Sequence, residues 1–255
     1  MLCVLVALGI IPAAIVLAQT TLPTRAWWCA LASGAICGIY YFSLARAYDL
    51  GEFTAVYPVA RALPVIIVGL ADVLRGRSPT LGGWCGMTLV TAAILLVPFQ
   101  SFRQLGAKHY LNRSTFWCLL TALCTVGYTV VDKYAAEAAH NSPAYAALYG
   151  YIFFFVATIA YAATLTLCGK PNDDTIAVGW ARPVLGSLLC FGAYWLILWA
   201  YQLAERAAYV LTLRQFSIVI GVMFGTIFFR EKSPAIRLAA ACVMVAGFLL
   251  IGFFG

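Results

Sequence analysis

The chain has 255 residues, of which 64% are hydrophobic and only 10% charged, with a net charge of +7 and a mean hydropathy of +0.94. A soluble domain carries about 25% charged residues, so a water-soluble fold is excluded, and no segment between apolar runs is long enough to build a separate core. The positive charge sits mostly in short connections flanking apolar runs, the ordinary pattern of a membrane protein, and nucleic acid is not expected as a partner.

Nine apolar segments follow one another at about 1–19, 27–48, 54–74, 81–100, 114–132, 143–168, 183–203, 207–229 and 235–254, each of roughly membrane-spanning length. The first, "MLCVLVALGIIPAAIVLAQ", lacks a positive leader and a small-residue cleavage site, and so reads as a helix and not as a signal peptide. Pro143 and Pro183 stand where helices should begin, a position that tolerates proline. Trp27, Trp28, Trp117 and Trp180 fall near segment ends, as interfacial anchors do. Most of the nine cysteines lie inside apolar runs and none forms a CxxC pair, so they read as packing residues. His109 and His140 lie in polar connections. No metal site, catalytic residue or cofactor is expected.

One charge stands out. Arg61 interrupts the apolar run "VYPVARALPVIIVGL" at a cost of about 2.5–3.5 kcal/mol for a charge at mid-span. Its surroundings recur: "AYDLGEFTAVYPVARALP" from Ala47 runs beside "AYQLAERAAYVLTLRQFS" from Ala200. At a constant offset of 153 residues, Tyr48, Glu52 and Arg61 meet Tyr201, Glu205 and Arg214. After a two-residue slip, "RSPTLGGWCGMTLVTAAILLV" pairs with "KSPAIRLAAACVMVAGFLLI". The second copy lies five crossings further along the chain, so the two point in opposite directions and form an inverted repeat. Each arginine lies about 10 Å into its helix from opposite faces of a core about 30 Å thick, within side-chain reach of the midplane.

These features, with "E-[KR]-x-P"-like turns before the last helix of each half, resemble the EamA-type drug/metabolite transporter superfamily over essentially the whole chain. More narrowly, "YPVARALP", "YTVVD" and "LRQFS" are similar to motifs of a phosphonate-utilisation-associated subgroup. The resemblance implies ten helices in two five-helix halves around a central cavity, lined here by segments 27–48, 54–74, 183–203 and 207–229. This chain shows nine: an incomplete first repeat of four helices over 1–100 and a five-helix repeat over 114–255. The fold expected is thus an all-α polytopic transmembrane bundle, an inverted repeat in which the first helix is apparently missing. A start assigned too late, a fragment and a true nine-helix variant would all produce it.

Arg61 and Arg214 are the leading substrate-binding candidates, because a guanidinium within the hydrocarbon region faces a wet cavity and suits carboxylate, phosphate or phosphonate. The plainer alternative pairs each with a buried acid or with the carbonyls of a broken helix. Tyr57 and Ser217 share a helix face with Arg61 and Arg214 and would orient a ligand, or simply pack. Pro58 and Pro64 should kink or break the helix of Arg61. Gly221 and Gly225 suggest close helix packing. Glu52 and Glu205 read as first-turn acids opposing a helix dipole, with a role as proton or counter-ion partners the alternative. Asp132 reads as an interfacial ion pair with Lys133 at a helix end, or else as a coupling site. Asp72 pairs with Arg75. Tyr40, Tyr41, Tyr194, Trp195, Trp199 and Tyr201 would line the cavity or face lipid.

The function expected is secondary transport of a small organic metabolite, an anion by preference, through alternating access. A flippase for a phosphate-bearing lipid and a non-transporting scaffold are the alternatives. Enzyme motifs such as HExxH and GxSxG are absent from the sequence, so no enzyme is expected. The partners are the substrate and the bilayer; the oligomeric state is open. A bacterial inner membrane is the expected location. Loop charges, eight Lys and Arg against five, favour a cytoplasmic N-terminus. The resemblance implies a cytoplasmic C-terminus, which nine crossings set against that orientation.

Overall fold

Hydropathy of this kind leaves the backbone one way to satisfy its polar groups in lipid, the helix, and the chain follows it. The structure is a computed structural model describing residues 1–50, 53–97, 114–139, 141–169, 179–228 and 234–255; of 53–57, 59, 227, 228 and 234 only the backbone is described. The helices are α1 (Leu2–Gln19), α2 (Thr24–Leu50), α3 (Phe53–Leu74), α4 (Leu81–Leu96), α5 (Thr115–Ala136), α6 (Pro143–Cys168), α7 (Ala181–Leu203), α8 (Ala207–Leu213), α9 (Phe216–Phe228) and α10 (Pro234–Phe254). Among the described residues no strand occurs and seven helical spans are long and apolar enough to cross a membrane, with α8 and α9 together forming one of them. The chain is an integral, multi-pass membrane protein.

The ends of the helices follow local chemistry. Pro143 opens α6, and the Ser142 hydroxyl before it accepts from the Tyr145 N–H at 3.2 Å. Thr80 caps α4 by accepting from the Gly83 N–H at 3.0 Å. Pro58 and Pro64 do not interrupt α3, which is a single helix over Phe53–Leu74. The break expected there lies in the sequence counterpart instead. Between α8 and α9, Arg214 and Gln215 form a turn, with the Gln215 N–H on the Thr212 carbonyl and the Ile218 N–H on the Gln215 carbonyl, both at 2.9 Å. These three-residue closures replace the four-residue ladder, and neither proline nor glycine causes them.

Two compact units emerge, Met1–Ala45 with Gly127–Glu205 and Arg46–Val126 with Arg206–Gly255. In the first, α1, α6 and α7 pack on one another. Gly34 and Gly38 bring α2 against the backbone of α6 at Phe153 and Ala160. In the second, α4 lies along α10, α3 contacts α4 and α8, and α9 contacts α10. Its core joins Ala62, Val90, Ile94, Val219, Met244 and Phe248. At the α4–α10 crossing each of Gly86 and Gly247 faces the other's carbonyl oxygen. Close glycine packing is therefore found here and not at Gly221, where an added Cβ would meet nothing within 4 Å.

Candidate functional site

Two polar constellations lie in the helices, one in each unit. In the second unit Arg61 is half-buried on α3, and Arg214 is half-buried at the α8–α9 turn. Between their positions in the fold stands Gln215, which is 1% exposed. Its amide nitrogen donates to the Arg61 carbonyl over a long 3.5 Å, and its buried Oε1 has no partner among the described residues. The structure thus links the two arginine segments through a residue that the sequence reading passed over. The signal was present, since "LRQFS" puts a second polar residue directly after Arg214.

Other candidates fall elsewhere. Ser217 is exposed and its hydroxyl donates to the Arg214 carbonyl at 3.2 Å. The break before Phe216 removes the continuous helical register that would have placed it beside the guanidinium. Tyr57 belongs to α3, but its side chain lies outside the described residues, as Glu52 does altogether. Glu205 is exposed in the connection before α8 and does not enter its first turn. Asp72 occupies the role expected of it: 1% exposed, its Oδ2 accepts from the Ala208 N–H at 2.8 Å. Its Oδ1 stands 3.4 Å from Arg75, the pair the sequence suggested. Asp72→Ala is expected to cost about 1–2 kcal/mol by stranding an N-terminal amide of α8, and Asp72→Asn less. Thermal unfolding in detergent checks both.

In the first unit the buried acid is Asp132. Helix α5 continues to Ala136, so Asp132 is inside the helix and not at its end. It has no exposed surface. Its Oδ1 accepts from the Tyr149 hydroxyl at 2.7 Å and from the Ser33 hydroxyl, and its Oδ2 accepts from the Tyr194 hydroxyl. Donors from α2, α6 and α7 therefore meet on one carboxylate. Around it Tyr194 stacks on Phe153 at 4.7 Å between ring centroids, with Tyr128 and Phe154 edge-on to it. Tyr40 packs edge-on to both Tyr41 and Tyr128. Lys133, also buried, takes another direction: its ammonium donates to the Tyr201 and Ala204 carbonyls at 3.0 and 2.6 Å, at the C-terminal end of α7. Glu137 lies 3.6 Å from it. Asp132 and Lys133 are thus both buried, inside the helix and not at its end, and both bond to α7 at different points along it. Trp195 and Trp199 donate to the Pro143 carbonyl and to Asn141 Oδ1, each at 2.8 Å, and so anchor the start of α6.

Among the described residues no cluster of His, Cys, Asp or Glu offers a metal site. A family model for EamA-like transporters matches residues 1–99 and 112–253. The chain belongs to the EamA-like transporter family. No curated protein matches it. The family is one of membrane transporters of small molecules, and helices long enough to span a bilayer, with arginines and an acid half or wholly buried among them, are the material such a protein requires. In this EamA-like transporter the sequence repeat also has a spatial echo within each unit: α1 packs on α6, α3 on α8, and α4 on α10.

Proposed function

We propose that the protein is a secondary transporter of a small organic anion in a bacterial inner membrane, working by alternating access, with Arg61 and Arg214 as the groups that hold the anion. The observation that carries this reading is the meeting of the Arg61 and Arg214 segments at Gln215. Two guanidinium-bearing segments of corresponding sequence converge on one buried amide, and one of them is interrupted where its arginine stands. Interrupted helices free backbone groups for ligand contact at the midplane of transporters. Two positive charges with planar donor forks favour carboxylate, phosphate or phosphonate over a cation.

A thermal-stability screen of the purified protein against phosphonates, dicarboxylates, cations and zwitterions tests it. A bound anion at about one hundred times its Kd should raise Tm by roughly 5 °C. R61Q and R214Q should each abolish that rise. Equal responses in wild type and variants, or stabilisation by cations alone, would make the arginines structural.

A further inference from the structure

We propose that Asp132 is a proton-carrying carboxylate, loaded from water on one side of the membrane and emptied to the other, within a cage of hydroxyls from α2, α6 and α7. The inference rests on the transport reading above and adds a coupling ion to it.

The nature of the donors supports a proton. Three hydroxyls reach Asp132, from Ser33, Tyr149 and Tyr194. A hydroxyl both donates and accepts. When Asp132 is ionised, all three O–H groups donate to it. When it is protonated, its own O–H donates to one of them, while the others keep the remaining oxygen. Backbone N–H groups or a guanidinium would lack that reversal, because they offer no lone pair. A hydroxyl of the cage can therefore accept from the protonated acid as well as donate to the carboxylate, its own hydrogen then turning to another acceptor.

The electrostatic surroundings come from every neighbouring helix. On α2, Cys29 lies within electrostatic range of both Asp132 and Arg25. On α6, Tyr145 joins Tyr149, and its hydroxyl donates to the Ala135 carbonyl at 2.8 Å. On α7 the only hydroxyl on the carboxylate is that of Tyr194 among the described contacts. On α5 itself stand Tyr128, one turn earlier, and Lys133. Lys133 binds the last carbonyls of α7 while Tyr194 of α7 binds Asp132, so a change of charge at Asp132 acts on the helix that leads into α8.

Infrared difference spectroscopy against pH, on the purified protein in lipid vesicles, needs no substrate. Over a pH titration, a protonated-carboxyl stretching band should appear as pH falls. It should be missing in D132N and shifted in Y194F or Y149F. If D132N does not fold, the hydroxyl variants decide: a band that keeps its position when a donor is removed belongs to another acid and overturns the assignment. So does the absence of any titrating band. In a second arm, an imposed pH gradient should speed uptake of the stabilising anion several-fold in wild type, with that acceleration lost in Y194F. A titrating band with no gradient effect would overturn the coupling role. Failure of the anion clamp shows only in the stability screen, leaving the infrared result to stand or fall alone.

Discussion

Gly86→Ala is expected to destabilise the protein by about 3 kcal/mol and Gly86→Leu to prevent folding. A Cβ at Gly86 would lie 2.6 Å from the Gly247 carbonyl oxygen and 2.7 Å from Ile251. The reciprocal change at Gly247 would bring a Cβ to 2.7 Å from the Gly86 oxygen and 2.7 Å from Val90. Overpacking a core costs about 1–3 kcal/mol when side chains can yield. Here the nearest atom is backbone, so α4 and α10 must separate along the crossing and give up the packing that holds membrane helices together. Gly221→Ala supplies the comparison: with open space at its Cβ position, it should gain a few tenths to about 1 kcal/mol from helix propensity alone. Unfolding in detergent, with yield of monodisperse protein, measures all of these. A Gly86→Ala variant as stable as Gly221→Ala would show that the two helices do not approach as described.

The second large effect belongs to Asp132→Leu, expected to cost about 2–6 kcal/mol. Three buried hydroxyls lose their acceptor at once. A hydrogen bond between neutral side chains of membrane helices contributes about 0.6 kcal/mol, with a maximum near 1.7. Bonds to a charged group contribute about 1.5–3 kcal/mol. The lower end of the expected range corresponds to a neutral Asp132 and the upper end to an ionised one. Asp132→Asn keeps one acceptor oxygen and should lose about half as much. Unfolding of both variants at matched pH checks the ratio. A loss under about 1 kcal/mol for the leucine variant would mean that Ser33, Tyr149 and Tyr194 find other partners, and that the carboxylate does not organise the three helices.

Hydropathy located the helices because lipid permits so few backbone conformations. All nine apolar segments correspond to described helices, with ends displaced by a few residues. One of those displacements mattered: four further residues on α5 moved Asp132 from a helix end to the interior. Its environment was illegible for a plainer reason. Ser33, Tyr149 and Tyr194 stand 99, 17 and 62 residues away, and adjacency in sequence offered only Lys133, which turns to other acceptors. The same limit explains the exchange of roles between Glu205 and Asp72. Proximity to a helix start suggested Glu205, but the acid that reaches the Ala208 N–H comes from 136 residues earlier. Arg61 and Arg214 were found through repetition. Gln215 was missed because Ala62 stands at its counterpart position, so the repeat gave it no emphasis.

Glycine spacing misled in a related way. Gly221 and Gly225 share one helix face, yet a face is informative only when another helix lies against it. The same spacing does mark a close approach where a second helix lies against it, at Gly34 and Gly38 against α6 and at Gly82 and Gly86 against α10.

The turn at Arg214 and Gln215 also sets the mechanics of the two arginine-bearing arms. Helix α3 is continuous over 22 residues, so a pull on Arg61 meets no break along its length. The arm of Arg214 is jointed, with seven residues on one side and thirteen on the other, so the same pull is absorbed as local bending. Segments alike in sequence thus differ in compliance. A ligand gripping both arginines would tug on one lever and one hinge, and the two directions of motion through the membrane need not retrace each other as mirror images.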